Sequence, residues 1–141
     1  MPMIDIVAPE GMFPAEAEAT LLERATTVLT NFEKVTNIPY AVANTGAFLH
    51  VLPKGRVAAG GKASGVVRVQ LLTPTGALKQ EQRVGIAAGI TDAVSELATD
   101  KGIRERTWVL FHEAVDGGWG IAGKAYTNTE LTAAVIASLK K

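Results

Sequence analysis

The chain carries the same pattern twice. His50 and His112, Gly61 and Gly123, Lys62 and Lys124, and Ala63 and Ala125 all match at one offset of 62 residues. That unit is longer than the roughly 20–50 residues of a solenoid repeat, so the pattern reads as two copies of one supersecondary unit rather than an array. At 141 residues, with 48% apolar and 20% charged side chains, the chain can bury a single core.

Each copy reads as strand, helix, strand. In the first, Met3 to Ala8 alternates and is rich in Ile and Val, and Pro9-Glu10-Gly11 ends the run. A helix is predicted from Pro14, with Leu21, Leu22, Ala25, Val28, Leu29 and Phe32 on one face and a stop at Asn37-Ile38-Pro39. Phe48 to Leu52 forms the returning strand. In the second copy the predicted elements are a strand over Val66 to Leu72, a helix over Leu78 to Ala98 and a strand over Thr107 to Glu113. The capping box Thr127-x-x-Glu130 announces a last short helix.

Two β-α-β units of this kind, about 1–63 and 64–126 with a terminal helix at about 128–139, make one α+β domain. They join into a four-stranded mixed sheet with both long helices on one face. The other face then carries Trp108, Leu110, His112, Arg68, Gln70, Asp5 and Phe48. That mixture is too apolar to be left wet and too polar for a normal core, which points to an interface between copies of the chain.

Composition removes whole classes of function. Fourteen basic residues balance fourteen acidic ones, so the footprint of a nucleic-acid binder is missing. No cysteine is present, which removes disulfides, thiol nucleophiles and thiolate metal sites, and two histidines are too few for a dedicated metal cage. Nothing in the sequence calls for a cofactor or a metal. No run has the length of a membrane span, so a soluble cytoplasmic protein with no membrane partner is expected.

Pro2 is the candidate catalytic residue. Methionine is normally trimmed before a small second residue, which would leave Pro2 with a free secondary amine. An unperturbed α-amino group titrates near 7.7–8.0, and burial or a nearby cation lowers it, so such a nitrogen can be a base at neutral pH. If Met1 stays, Pro2 is a tertiary amide with no basic nitrogen.

Taken together, Pro2, the duplicated unit and the segment from Trp108 to Lys124 resemble the tautomerase superfamily, in particular the double-length members of the 4-oxalocrotonate tautomerase family. Ile103 through Leu131 is similar in layout to malonate semialdehyde decarboxylase, and His50 through Gly61 is similar to macrophage migration inhibitory factor. The resemblance implies a homotrimer with pockets near subunit boundaries. It also implies keto–enol proton transfer by Pro2 on a small keto or enol carboxylic acid, with decarboxylase or hydratase side activity as an extension. It places Trp119 where an aromatic residue lines the pocket, a position that an ordinary packing tryptophan at a turn would also occupy.

The resemblance is incomplete at the cations. The arginines it leads one to expect fall at Met12, Ala77 and Trp108. Arg56, Lys54 and Arg68 are the candidate substitutes for holding the substrate carboxylate, or else solvated and interface charges, and Tyr40 is a candidate donor. His50 and His112 read as structural. The alternative to an enzyme is a trimeric binding or structural relative that keeps the fold without turnover.

Overall fold

The computed structural model describes residues 1–141. The first strand, β1 (Met3–Pro9), buries Ile4, Ile6 and Ala8 on one face, as its alternation requires. The helix α1 (Ala15–Glu33) follows Pro14, and Glu16 and Glu18 in its first turn complement the positive end of its dipole. It ends at Glu33, four residues before Asn37, and is capped by a left-handed Lys34 with φ of 59°. There the Val35 N–H donates to Thr30 O and the Lys34 N–H to Asn31 O, a Schellman closure that satisfies the last carbonyls. Pro39, read from the sequence as part of the stop, instead opens a short helix α2 (Pro39–Ala43), where the missing N–H costs nothing.

The chain returns as β2 (Gly46–Leu52), makes a small hairpin of β3 (Ala58–Ala59) and β4 (Lys62–Ala63), and crosses the sheet again as β5 (Val67–Pro74). The second long helix α3 (Gln80–Leu97), a 3-10 turn at Ile103–Arg106 and the strand β6 (Thr107–Ala114) complete the second unit. A further hairpin, β7 (Trp119–Ile121) and β8 (Lys124–Tyr126), leads to α4 (Asn128–Ser138). The capping box read from the sequence is present there: Thr127 Oγ1 accepts from the Glu130 N–H, and the Glu130 carboxylate accepts from the Thr127 N–H.

The sheet order is β2-β1-β5-β6, with β1 antiparallel to β5 and each outer strand parallel to its inner neighbour. Val7 pairs with His50, a separation of 43 residues, and Leu72 pairs with His112, a separation of 40. The outer strands therefore repeat at an offset of 62, but the inner ones repeat at 62 plus 3, or 65. That second offset superposes Pro9-Glu10-Gly11-Met12 on Pro74-Thr75-Gly76-Ala77 and places Val67 opposite Pro2 in the internal symmetry.

Both long helices cover one face. Leu21, Leu29, Ile86 and Ile90 are fully buried between them and the sheet, and each such side chain contributes about 1.5–3 kcal/mol relative to exposure. The opposite face carries Phe48, Trp108 and Leu110, exposed at 50%, 44% and 43%. No helix is long and apolar enough to cross a membrane.

Candidate active site at the amino terminus

The start of β1 is buried under the second half of the chain. Pro2 is among the fully buried side chains, and its carbonyl accepts a hydrogen bond from Gly46 N–H, which locks the entry of β1 to the entry of β2. Because β1 and β5 are antiparallel, Met3 pairs with Leu72, so the loop after β5 closes over the same end of the sheet. Met1 sits in a small apolar cluster with Ala41, Trp119 and Leu131, flanked by Tyr40, Ile38, Ile121 and Tyr126. The elements that build this cluster are α2, the β7–β8 hairpin and α4, all of which lie outside the main core.

Two polar features break the apolar surroundings. The amine of Met1 donates to Glu33 Oε2 at 3.2 Å and Oε1 at 3.4 Å, with the two side chains only 2% and 8% exposed. The indole Nε1–H of Trp119 is buried with no acceptor. A buried donor without a partner is costly, so its position calls for an explanation. Beside this cluster lies a cavity of about 330 Å³ walled by Met1, Leu131, Asn128 and the Pro74–Ala77 loop.

The rim of that cavity holds a charged cluster. Glu113 accepts from Gly76 N–H at 3.2 Å, Thr75 Oγ1 at 3.0 Å and Arg83 at 3.0 Å. The Gly76 N–H, then the Thr75 hydroxyl and the Arg83 charge, hold the Glu113 carboxyl below the usual carboxylate range.

The internal symmetry supplies a twin of this end. A larger cavity, about 470 Å³, lies at the start of β5, walled by Pro9–Met12, Lys54, Ser64, Gly65, Thr99 and Asp100. Its counterpart of Pro2 is Val67, an ordinary residue inside the chain, so the amine this cavity offers is the Lys54 side chain and not a proline nitrogen. The smaller cavity of the two is the one that Met1 lines.

Five substrate-binding candidates were named from the sequence, and they divide between the two ends. Trp119 and Tyr40 lie at the Pro2 end. Arg56, Arg68 and Trp108 share a smaller cavity, about 210 Å³, on the open face, and Lys54 lines the twin cavity. Arg68 pairs with Val7, five strand positions from Pro2, roughly 16 Å at the rise of a β-strand. Within one chain, then, the structure gathers the aromatic candidates around Met1, the residue before Pro2, and leaves the three cations at the other end.

The sequence model of the tautomerase enzyme family matches residues 66–128, the stretch that contains β5, α3, β6 and the Trp119 hairpin. That match, with the fold, supports the tautomerase superfamily. Solved structures extend the likeness to the whole tautomerase fold. Pt0534 inactivated by 2-oxo-3-pentynoate superposes with a TM-score of 0.76 at 21% identity, over 92% of this chain and 98% of that one. A fused 4-OT that forms an asymmetric trimer gives 0.73 at 16% identity, over 87% and 94%. The macrophage migration inhibitory factor-like protein of Entamoeba histolytica gives 0.70 at 14%, over 89% and 98%. A search of the curated proteins finds no match.

Three residues of the candidate site carry no mark in the sequence. Glu33 looked like one more charge near a helix end, because its partner lies 32 residues away. Arg83 and Glu113 lie 30 residues apart in the chain, on a helix and a strand whose facing sides show only once the two pack together.

Proposed function

We propose that this protein is a proline-dependent tautomerase in which Pro2, freed by removal of Met1, moves a proton between carbon and oxygen of a small keto or enol compound. Acids of that kind are the substrates the family resemblance implies, and a homotrimer is the working assembly. The observation that carries the reading is the full burial of Pro2, directly after Met1, whose side chain packs with Trp119, Leu131 and Ala41, a sheltered place for a secondary amine. Removal of Met1 would take away the peptide bond that makes the Pro2 nitrogen an amide and leave a basic lone pair there.

Two opposed effects set the proton affinity of that amine. The apolar walls disfavour its charged form, whereas the Glu33 carboxylate, next to the space Met1 occupies, favours it. With the two in balance, the nitrogen can accept a proton at one carbon and return it at another position, a contribution worth typically about 10²–10⁴ in rate. Trp119 and Leu131 keep water from the transfer.

Mass measurement of the purified protein shows whether Met1 has left. Phenylenolpyruvate then serves as substrate, and ketonisation is expected to be lost in Pro2→Ala; equal rates in the variant and the parent would overturn the proposal. The alternative, a trimeric relative without turnover, is favoured by one observation, the seat that Glu33 provides for the Met1 amine. Retention of Met1 in protein from cells would decide for it.

A further inference from the structure

A keto or enol acid needs a counter-charge, and the groups around Met1 are arranged against one. The ionised side chain bonded there is a carboxylate, Glu33. Cations on the surrounding elements are engaged or face outward: Lys124 reaches Glu130 at 3.3 Å, Arg83 reaches Glu113 at 3.0 Å, and Lys34 is exposed. The donor set that would suit a substrate carboxylate, formed by Thr75, Gly76 and Arg83, is already filled by the chain's own Glu113. A second negative charge brought to this end would be desolvated beside Glu33 with no free cation of the same chain to offset it.

One donor does stand unsatisfied. Trp119 is 5% exposed, packs in the same cluster as Met1, and its Nε1–H meets no acceptor. A neutral carbonyl oxygen is the acceptor that relieves such a donor without adding charge, and as the carbonyl becomes enolate the same bond strengthens. The unbranched side chain of Met1, held by Ala41 and Leu131, gauges the space beside it.

Resting on the proline-based reading above, we infer that the space Met1 fills receives, after its removal, a neutral carbonyl compound with a short apolar tail in preference to a carboxylate, its oxygen held by Trp119 Nε1–H. Trp119 is thus a binding and specificity residue rather than only a wall.

The test uses Met1-free full-length protein and two reagents that differ only in the group on the ketone, 3-pentyn-2-one with a methyl and 2-oxo-3-pentynoate with a carboxylate. The Pro2 amine adds to the alkyne carbon β to the carbonyl: an N–C bond forms, one π bond breaks, the amine proton ends on the α carbon, and the adduct carries the whole reagent mass. Labelling rates are read by mass spectrometry and divided by those for prolinamide in solution.

The neutral reagent is expected to label Pro2 about tenfold faster on this scale, and Trp119→Phe to slow it about fivefold. Glu33→Gln should narrow the preference, and Lys34→Met should leave it unchanged. In parallel, the indole N–H resonance of Trp119, assigned by its loss in Trp119→Phe, should move downfield with 4-phenylbutan-2-one. Faster labelling by the keto acid overturns the inference while leaving Pro2 as the base, and it would mean that a neighbouring subunit brings a cation. Labelling by neither reagent overturns the proline-based reading instead, and the indole signal then decides the inference: unmoved by millimolar ketone, it fails.

Discussion

His50 Nε2 stands 2.8 Å from Asp5 Oδ1 on the open face of the sheet, and the second unit repeats the contact with Gln70 Nε2 donating to His112 Nε2 at 3.3 Å. Asp5 and Gln70 are cross-strand partners, so four polar side chains run in a row from β2 to β6. Phe48, Trp108 and Leu110 lie on the same face and stay substantially exposed in one chain. A face with this mix of bulk and paired polarity suits burial against other copies. If the proposed trimer forms, Leu110→Asp should convert it to monomers in sedimentation velocity while leaving the circular dichroism spectrum intact, because Leu110 lies outside the core. A parent protein that sediments as a monomer would sink the trimer itself.

The Glu33 contact gives a prediction with a definite sign. A carboxylate near an amine favours the protonated form, so removing it lets Pro2 lose its proton at lower pH. Glu33→Gln in Met1-free protein should therefore move the acid limb of the kcat/KM profile down by about 1 pH unit. An unchanged limb would mean that Pro2 and Glu33 do not meet once Met1 is gone.

Close approach of α1 and α3 rests on a missing side chain. A Cβ at Gly85 would lie 2.3 Å from the ring of Phe32, and one at Gly89 would lie 3.0 Å from Val28. In an exposed helix Gly→Ala would gain about 1 kcal/mol from propensity alone. Here the ring has to move, and Phe32 packs against the core. Gly85→Ala should accordingly destabilise by about 1–3 kcal/mol in urea titration, the usual cost of overpacking. A stabilised variant would show that the ring swings out freely.

How much of this was legible follows from the range of each signal. The alternation of Ile4, Ile6 and Ala8 and the 3.6-residue rhythm of Leu21, Ala25 and Leu29 are local, and they gave the strands, the helices and the buried face. The end of α1 at Lys34 was hidden because a left-handed lysine has no compositional mark, whereas the glycines that take the same conformation do. The second offset, 65 in the inner strands against 62 in the outer, shows only in the register. At the site, Pro2 and Trp119 stand out by type and place. The Met1–Glu33 and Arg83–Glu113 contacts join ordinary residues far apart in the chain and carry no pattern of their own.

Glu113 links the rim of the cavity to stability in acid. Its carboxyl is held below the usual range, first by the Gly76 N–H, then by the Thr75 hydroxyl and Arg83. A carboxyl with a depressed folded-state pKa contributes stability above its unfolded value and loses it as pH falls through the folded one. Asp100, bonded by Arg106 and then Gly102 N–H, and Glu130, bonded by Thr127 N–H and then Lys124, behave in the same direction. The parent should lose thermal stability as pH drops below about 4.5, where free carboxylates begin to protonate. Glu113→Gln keeps an acceptor for Gly76 and Thr75 but leaves Arg83 without its carboxylate partner, so at pH 7 it should melt a little below the parent. The gap between the two melting curves should close as the pH is lowered. If instead the gap widens in acid, the three donors around Glu113 do not favour its charged form, and the filled cradle beside the candidate site has been misassigned.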